Sequence, residues 1–240
     1  MASIYLIRHG QASFGSADYD HLSKIGFKQG KLLGQFWQPL AVPDKFYVGD
    51  LLRHGQTLTS FTQGYQNNNI PMTIHSGFNE FDHVDILKNY KTQWQNFTEM
   101  NEEISKSKDP HKALQKEFGK ALKQWMSGDV DEKYKESWSQ FKKRCVAALQ
   151  DIIKQELRDN KQFSDGDTDK NILVFTSGGT ISVIVQHILA LNDHQVSQVI
   201  QQSKNTSVTK LLLLDNRLSV DYLNNYSHLE REGLDWITSR

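Results

Sequence analysis

The residues best suited to chemistry lie near the start of the sequence, where Arg8, His9 and Gly10 follow four apolar residues at positions 4–7. A short apolar run that ends at a glycine predicts a buried strand of an open sheet, and ligands of such sheets bind beyond the carboxyl ends of the strands. A histidine there can act as nucleophile, base or ligand, and an arginine guanidinium matches the oxygens of phosphate or carboxylate. The pair therefore indicates an anionic substrate, with phosphate as the leading candidate.

The same three residue types recur as Arg53, His54 and Gly55, but in a different context. This second copy follows Asp50 and two leucines and leads into a polar stretch with helical character at residues 56–63. A motif needs its structural context to carry a function. We therefore predict that His54 is a bystander on a helix face.

A second candidate anion site follows the strongest internal strand, predicted at residues 171–176. There Ser177, Gly178 and Gly179 lead into an apolar helix that runs to about residue 191. Backbone N–H groups and the positive end of a helix dipole favour phosphate at such a junction, although a tight turn can require glycine for backbone reasons alone. Two candidate sites at separate strand ends favour one composite site.

The order of the predicted elements indicates an α/β protein. Strands are predicted at residues 46–48 and 72–74, helices at 22–36 and 55–64, and a closing hairpin at 210–215 and 219–223. This alternation predicts a three-layer α/β/α sandwich with a mostly parallel sheet. Residues 82–161 are instead rich in long helical stretches, so we predict a single domain over residues 1–240 with a helical insertion at about 84–161. The aromatic residues of the insertion are expected to form its own core, with a roof over a substrate pocket as the alternative. Residues 160–169 are predicted to be a polar loop.

Composition excludes several classes of function. The 240 residues carry a formal net charge of zero, which argues against a nucleic-acid partner. The sequence has neither an apolar run of membrane-spanning length nor the pattern of a secretory signal, so we expect a cytoplasmic protein. The single cysteine, Cys145, is predicted to lie in the core.

Taken together, the motifs resemble the histidine phosphatase superfamily, also called phosphoglycerate mutase-like. The resemblance extends over both halves of the chain, whereas residues 87–161 match nothing in it. It rests on Arg8, His9 and Gly10, on Leu22, Ser23, Gly26 and Gln29, on Asp50, Leu51, Leu52, Arg53, Gln56 and Thr57, on Glu80, and on Thr176, Ser177, Gly178 and Gly179.

The resemblance implies transfer of a phosphoryl group through a phosphohistidine. His9 would be the nucleophile, Arg8 and Arg53 would hold the phosphoryl oxygens, and Glu80 would be the proton donor and acceptor. Ser177 and Gly178 would contact the substrate. Neither a metal ion nor a cofactor is implied, because the two arginines supply the positive charge.

Three departures from the family pattern affect the predicted site. Ser177 stands where most members have a second histidine, Gly15 stands where an asparagine is common, and Gly49 stands where a serine is common. The pocket is therefore expected to be less cationic, with a cost in rate. We hypothesise that His83 replaces the missing histidine, the alternative being a surface histidine at a helix start. His228 is a weaker candidate.

The leading prediction is a phosphatase that acts on a small phosphate monoester. A phosphoglycerate-type mutase would share the first half-reaction, and a phosphoester-binding regulatory protein with little turnover is a third alternative. Asp82, His83 and Asp85 have metal-binding side chains, but a loop cluster of this kind is more often solvated.

Overall fold

The computed structural model describes residues 2–13, 20–67, 69–94, 97–158, 170–214 and 217–239. The predicted polar loop at residues 160–169 lies outside the described residues, as does Gly15. The chain divides into two compact units, one formed by Met1–Glu80 with Arg144–Arg240 and the other by Phe81–Lys143. Residues 144–152, which the sequence assigned to the insertion, therefore belong to the first unit.

A six-stranded mixed sheet forms the centre of the first unit, in the order β3-β2-β4-β1-β5-β6. Strands β1 to β4 run parallel, whereas β5 pairs antiparallel with both β1 and β6. The predicted α/β class is confirmed, and the closing hairpin is the antiparallel pair β5 and β6. The strands are β1 (Ala2–Arg8), β2 (Lys45–Val48), β3 (Met72–Ile74), β4 (Lys170–Thr176), β5 (Val208–Leu214) and β6 (Arg217–Asn225).

Helices connect the parallel strands, as the alternating pattern predicted. Of the helices described, none is long and apolar enough to cross a membrane. They are α1 (Lys24–Trp37), α2 (Leu52–Tyr65), α3 (His83–Tyr90), α4 (Phe97–Ile104), α5 (Pro110–Ser127), α6 (Trp138–Ile152), α7 (Gly178–Leu189), α8 (Asp193–Gln202) and α9 (Ser227–Glu230).

The core of the first unit lies on both faces of the sheet. Tyr5 and Ile7 of β1 share a buried cluster with Leu33 of α1 and Phe61 of α2. Ile4 and Leu6 alternate with them along the strand, so they face the opposite side, and both are fully buried. Burial on two faces explains why β1 is a continuous apolar run instead of an alternating one.

The second unit has an aromatic core of its own. The ring centroids of Phe81 and Trp125 are 5.1 Å apart, and those of Trp125 and Trp138 are also 5.1 Å apart. Phe118 stacks on Phe81, and Phe141 packs against both Phe81 and Trp125. Within this unit the aromatic residues pack on one another, as expected of a core.

Candidate active site

Register in the sheet brings the two candidate anion sites together. Arg8, the last residue of β1, pairs with Thr176, the last residue of the neighbouring β4. The N–H of His9 then donates to the Thr176 carbonyl at 2.9 Å. His9 and Ser177 therefore follow adjacent parallel strands at the same edge of the sheet, where ligands bind in open α/β sheets.

The turn after His9 is held by side chains of α1 and α2. The N–H of Gly10 donates to Thr57 Oγ1 at 3.0 Å, and the N–H of Gln11 donates to Gln29 Oε1 at 2.9 Å. A Cβ atom on Gly10 would lie 2.5 Å from the carbonyl oxygen of Gly26, so neither glycine can carry a side chain in this packing. The two helices thus fix the position of the turn.

The ring of His9 is oriented by the backbone of its own turn. Its Nδ1 lies 2.7 Å from the carbonyl oxygen of Gly10, and a carbonyl only accepts. Nδ1 must therefore carry the hydrogen, which leaves the lone pair on Nε2. Burial holds the pKa of His9 well below its ordinary value, and the charges of Arg53 and Arg8 lower it further. The structure therefore favours a neutral His9 with Nε2 as its nucleophilic atom.

The guanidinium of Arg8 extends from β1 toward the start of α7. It donates to the carbonyl of Ser203, and it lies against the backbone of Gly178. A Cβ atom on Gly178 would be 3.4 Å from Arg8 Nε, so glycine at this position lets the guanidinium approach the helix terminus. A positive side chain and the N-terminus of α7 therefore adjoin one another.

Arg53 lies in the first turn of α2 and is held by a carboxylate that sequence reasoning missed. Its Nη1 donates to Asp20 Oδ1 at 2.6 Å, and the other oxygen of Asp20 accepts from the Leu52 N–H at 2.8 Å. Leu51, at the cap position of α2, has no polar side chain, so Asp20 supplies a cap from 32 residues away. No local pattern around Asp20 indicates this pairing.

Glu80 reaches the start of α7 as well. Its Oε2 accepts from the N–H of Gly179 at 3.0 Å, in the favourable field of a helix N-terminus. The N–H that the sequence suggested for phosphate thus donates to the predicted acid–base residue. Glu80, Arg8 and the Ser177–Gly179 junction are brought together by this arrangement.

His54, which the sequence analysis predicts to be a bystander on a helix face, contacts a predicted site residue. Its Nε2 lies 2.7 Å from Ser177 Oγ, and both residues are 0 % exposed. Its ring centroid is 5.8 Å from that of His9, with an angle of 37° between the rings. The helical pattern placed His54 on a helix face correctly, but that face is turned toward the site and not toward solvent.

Gly49 makes room for the His54 ring. A Cβ atom on Gly49 would lie 2.2 Å from His54 Nδ1 and 2.9 Å from Asn79 Oδ1. Burial keeps the pKa of His54 well below its ordinary value, and the charge of Arg53 acts in the same direction. The imidazole is therefore a neutral group enclosed between Gly49 and Ser177.

The other candidate histidines have different surroundings. His83 is the first residue of α3 in the second unit, and the Asp82 side chain caps that helix by accepting from the N–H groups of Val84 and Asp85. His228 lies in the first unit with its Nε2 2.9 Å from Thr206 Oγ1, and burial lowers its pKa to about 3. Over the described part of the chain, no group of three or more His, Cys, Asp and Glu residues is arranged to hold a metal ion. Cys145 is fully buried, as predicted.

These side chains form a site with the means for phosphoryl transfer. It combines a neutral imidazole with a free lone pair on Nε2, two guanidinium groups and one carboxyl group. A nucleophile beside positive charge and a proton donor is what displacement at phosphorus requires.

Comparison with known proteins identifies one family. The sequence matches the family profile described as histidine phosphatase superfamily (branch 1) over residues 4–110 and 88–226. No curated protein sequence is similar enough to count as a relative.

Solved structures of low sequence identity share the fold. A phosphoglycerate mutase from Bacillus anthracis superimposes with a TM-score of 0.64 at 16 % identity, covering 95 % of this chain and 94 % of that one. A mutant phosphoserine phosphatase from Entamoeba histolytica gives 0.60 at 18 %, covering 95 % and 100 %. A mycobacterial glucosyl-3-phosphoglycerate phosphatase gives 0.64 at 17 %, covering 95 % and 99 %.

Proposed function

The chain belongs to branch 1 of the histidine phosphatase superfamily, and from that membership we propose that it hydrolyses a small phosphate monoester through a phosphohistidine on His9. The contact of His9 Nδ1 with the Gly10 carbonyl at 2.7 Å carries the proposal. It leaves Nε2 as the atom that bears the lone pair, in a ring whose lowered pKa favours the neutral form. Such a ring is ready to attack phosphorus without first losing a proton.

The first half-reaction transfers the phosphoryl group to the enzyme. Nε2 of His9 forms a bond to phosphorus while the phosphorus–oxygen bond of the ester breaks, and a protonated Glu80 gives its hydrogen to the departing alkoxide. Arg8 and Arg53 hold the phosphoryl oxygens and stabilise the charge that develops on them. Ser177 and Gly178 are proposed to contact the same oxygens.

The second half-reaction returns the enzyme to its starting state. A water molecule attacks phosphorus while the Glu80 carboxylate takes one of its protons, and the bond from phosphorus to Nε2 breaks. Phosphate leaves, His9 regains its lone pair, and Glu80 is protonated again. One carboxyl group therefore serves as acid and then as base, a role that typically contributes 10²- to 10⁴-fold to the rate.

The proposal is tested by measuring phosphate release from a panel of monoesters with the wild type and with His9→Ala. We expect the variant to be slower by at least about 10³-fold. His194→Ala is the matched control, because His194 is an exposed histidine of α8 in the same unit. An acid-labile, base-stable phosphoryl group should be trapped on the wild type and be missing from the variant.

Survival of activity in His9→Ala would overturn the assignment of the nucleophile. An isomerised phosphoester without release of phosphate would instead identify a mutase. The predicted contact of His83 with substrate is tested in the same assay. There His83→Ala should have a higher KM than the wild type.

A further inference from the structure

Ser177 stands at the cap position of α7 but does not use its hydroxyl as a cap. A serine there normally accepts from an N–H in the first turn of the helix. Within the described first turn of α7, the Ser177 hydroxyl accepts no N–H, and the N–H of Gly179 donates to Glu80. The Ser177 Oγ atom instead lies 2.7 Å from His54 Nε2. The Ser177 hydroxyl therefore makes a contact with His54 instead of capping the N-terminus of α7.

The space for His54 has to be provided by its neighbours. An imidazole and a hydroxyl, both 0 % exposed, must satisfy one another, because a buried polar group without a partner costs about 1–3 kcal/mol. The ring fits only because Gly49 has no side chain, since a Cβ atom there would lie 2.2 Å from Nδ1. Gly49, His54 and Ser177 thus pack against one another. We refer to the two hydrogen-bonded residues as the His54–Ser177 pair and to Gly49 as the Gly49 wall.

This pair adjoins the groups proposed to act on phosphate. The His54 ring centroid is 5.8 Å from that of His9, and Ser177 precedes Gly178, against which the Arg8 guanidinium lies. His9 is itself only 7 % exposed, and both His54 and Ser177 are 0 % exposed. Of these side chains, Ser177 has a hydroxyl hydrogen to offer to a ligand.

We propose that His54 is a positioning residue for Ser177, and that it directs the Ser177 hydroxyl hydrogen at an oxygen of the phosphoryl group held at His9. The inference rests on the proposed function in taking phosphate as the ligand. Phosphoryl oxygens without protons only accept hydrogen bonds, and a serine has a single hydrogen to give. When Ser177 donates to the ligand, its oxygen is free to accept, and the His54 Nε2–H fills that place. A ligand that only accepts hydrogen bonds thus favours the neutral tautomer of His54 that carries its hydrogen on Nε2.

Inorganic phosphate is the probe, and its dissociation constant is measured by titration calorimetry. We expect Ser177→Ala and His54→Ala each to weaken binding by about tenfold, the loss typical of a hydrogen bond to a charged group. Because His54 acts through Ser177, the double variant should bind no more weakly than either single variant. Two residues that contact phosphate independently would instead give a loss of about 100-fold.

The conservative variant His54→Gln separates positioning from mere filling of space. The amide nitrogen of glutamine reaches the place of Nε2 and can donate to Ser177 Oγ, so binding should stay within about threefold of wild type. His228→Gln is the matched control, because His228 is also buried and also bonded through Nε2 to a hydroxyl, that of Thr206. The control should leave phosphate binding unchanged. If His54→Ala fails to fold, the comparison of His54→Gln with Ser177→Ala decides the question.

Three results would overturn the inference: additive losses in the double variant, phosphate binding by His54→Gln as weak as by Ser177→Ala, or no binding of phosphate by the wild type. Failure of the proposed function looks different. A wild type that binds phosphate with the coupled pattern but releases none from any monoester would refute hydrolysis and leave the role of His54 intact.

Discussion

At the scale of single residues, the carboxylate of Asp20 serves two groups of the site at once. One oxygen accepts from Arg53 at 2.6 Å and the other from the Leu52 N–H at 2.8 Å, so it orients the guanidinium and caps α2 together. The substitution Asp20→Asn keeps the shape of the side chain but removes the negative charge of its carboxylate. We expect kcat/KM for a monoester to fall by about tenfold, since charge-assisted hydrogen bonds are about twice as strong as neutral ones.

Asp44→Asn is the control for this prediction, because the Asp44 carboxylate accepts from the Asn171 N–H at 2.7 Å away from the site residues. Asp44→Asn should lower the free energy of unfolding and leave kcat/KM unchanged. A higher kcat/KM in Asp20→Asn would contradict the prediction, and would show that Asp20 competes with phosphate for Arg53.

A second prediction at this scale concerns the Gly49 wall. Gly49→Ala places a methyl group against the His54 ring, and overpacking of this kind typically costs about 1–3 kcal/mol of unfolding free energy. In a His54→Ala background the ring is gone and the cost should shrink by about 1 kcal/mol, leaving the contact with Asn79. Urea unfolding of the four proteins measures the difference. Equal costs in the two backgrounds would show that the ring does not need this space.

The sequence contains the signal for this arrangement, but in two separate places. Gly49 and Ser177 both depart from the family pattern, the first by the loss of a polar side chain and the second by the loss of a possible positive charge. The structure instead joins the two positions through His54, which is 123 residues from its partner. Pairings over such a separation depend on the register of β1 and β4, which no local pattern specifies. The sequence analysis therefore named the departures correctly and missed what links them.

At the scale of elements, the turn after β1 depends on how closely α1 approaches it. A Cβ atom on Gly26 of α1 would lie 2.2 Å from the carbonyl oxygen of Gln11, so Gly26→Ala must displace the helix or the turn. We expect a loss of about 1–3 kcal/mol in unfolding free energy together with a clear fall in kcat, because the turn carries His9. Both are measured on the purified variant.

Gly55→Ala, in α2, is the control for Gly26→Ala. Nothing lies within 4 Å of a Cβ atom at Gly55, and alanine is the better helix former, so this variant should gain about 0.5–1 kcal/mol of stability. Destabilisation by both substitutions would show that the loss at Gly26 does not arise from the contact with the turn, because helix propensity favours alanine at both positions. A loss confined to Gly26→Ala would locate the effect in the contact with the turn.

Most elements could be predicted because their causes are local. The apolar runs at residues 4–7 and 171–176 are strands buried on both faces, and the helical spacing from residue 22 is α1, capped by Ser23. The border between the two units could not be predicted, because α6 continues across it without a break in its helical pattern. Asp20 was missed for a similar reason, since the helix it caps begins 32 positions later.

At the scale of the whole molecule, buried neutral histidines make stability depend on pH. Burial lowers the pKa of His9, His54 and His228 in the folded state, to about 3 for His228. The unfolded chain therefore binds more protons below about pH 6.5, and stability must fall as the pH drops through that range. Each of these histidines contributes up to about 1.4 kcal/mol per pH unit to the slope of the unfolding free energy against pH.

His228→Gln tests this prediction at a residue whose Nε2 contacts the Thr206 hydroxyl and none of the proposed catalytic side chains. Urea unfolding at pH 7, 6, 5 and 4 should show a pH slope of the unfolding free energy that is smaller than that of wild type by about 1.4 kcal/mol per unit below pH 6. The exposed His194, replaced in the same way, should leave the slope unchanged. A wild-type slope in His228→Gln would mean that His228 titrates alike in the folded and unfolded chain.

The position of β1 in the sheet bears on how the protein is made. This strand comes first in the chain, yet its two neighbours, β4 and β5, begin only at Lys170 and Val208. At a translation rate of about 5–20 residues per second, roughly 8–32 seconds pass between the synthesis of His9 and that of β4. Throughout that interval the apolar strand has no partner on either edge, and His9 exists without its site. A nascent chain of this protein thus exposes an aggregation-prone apolar strand until β4 and β5 have been synthesised.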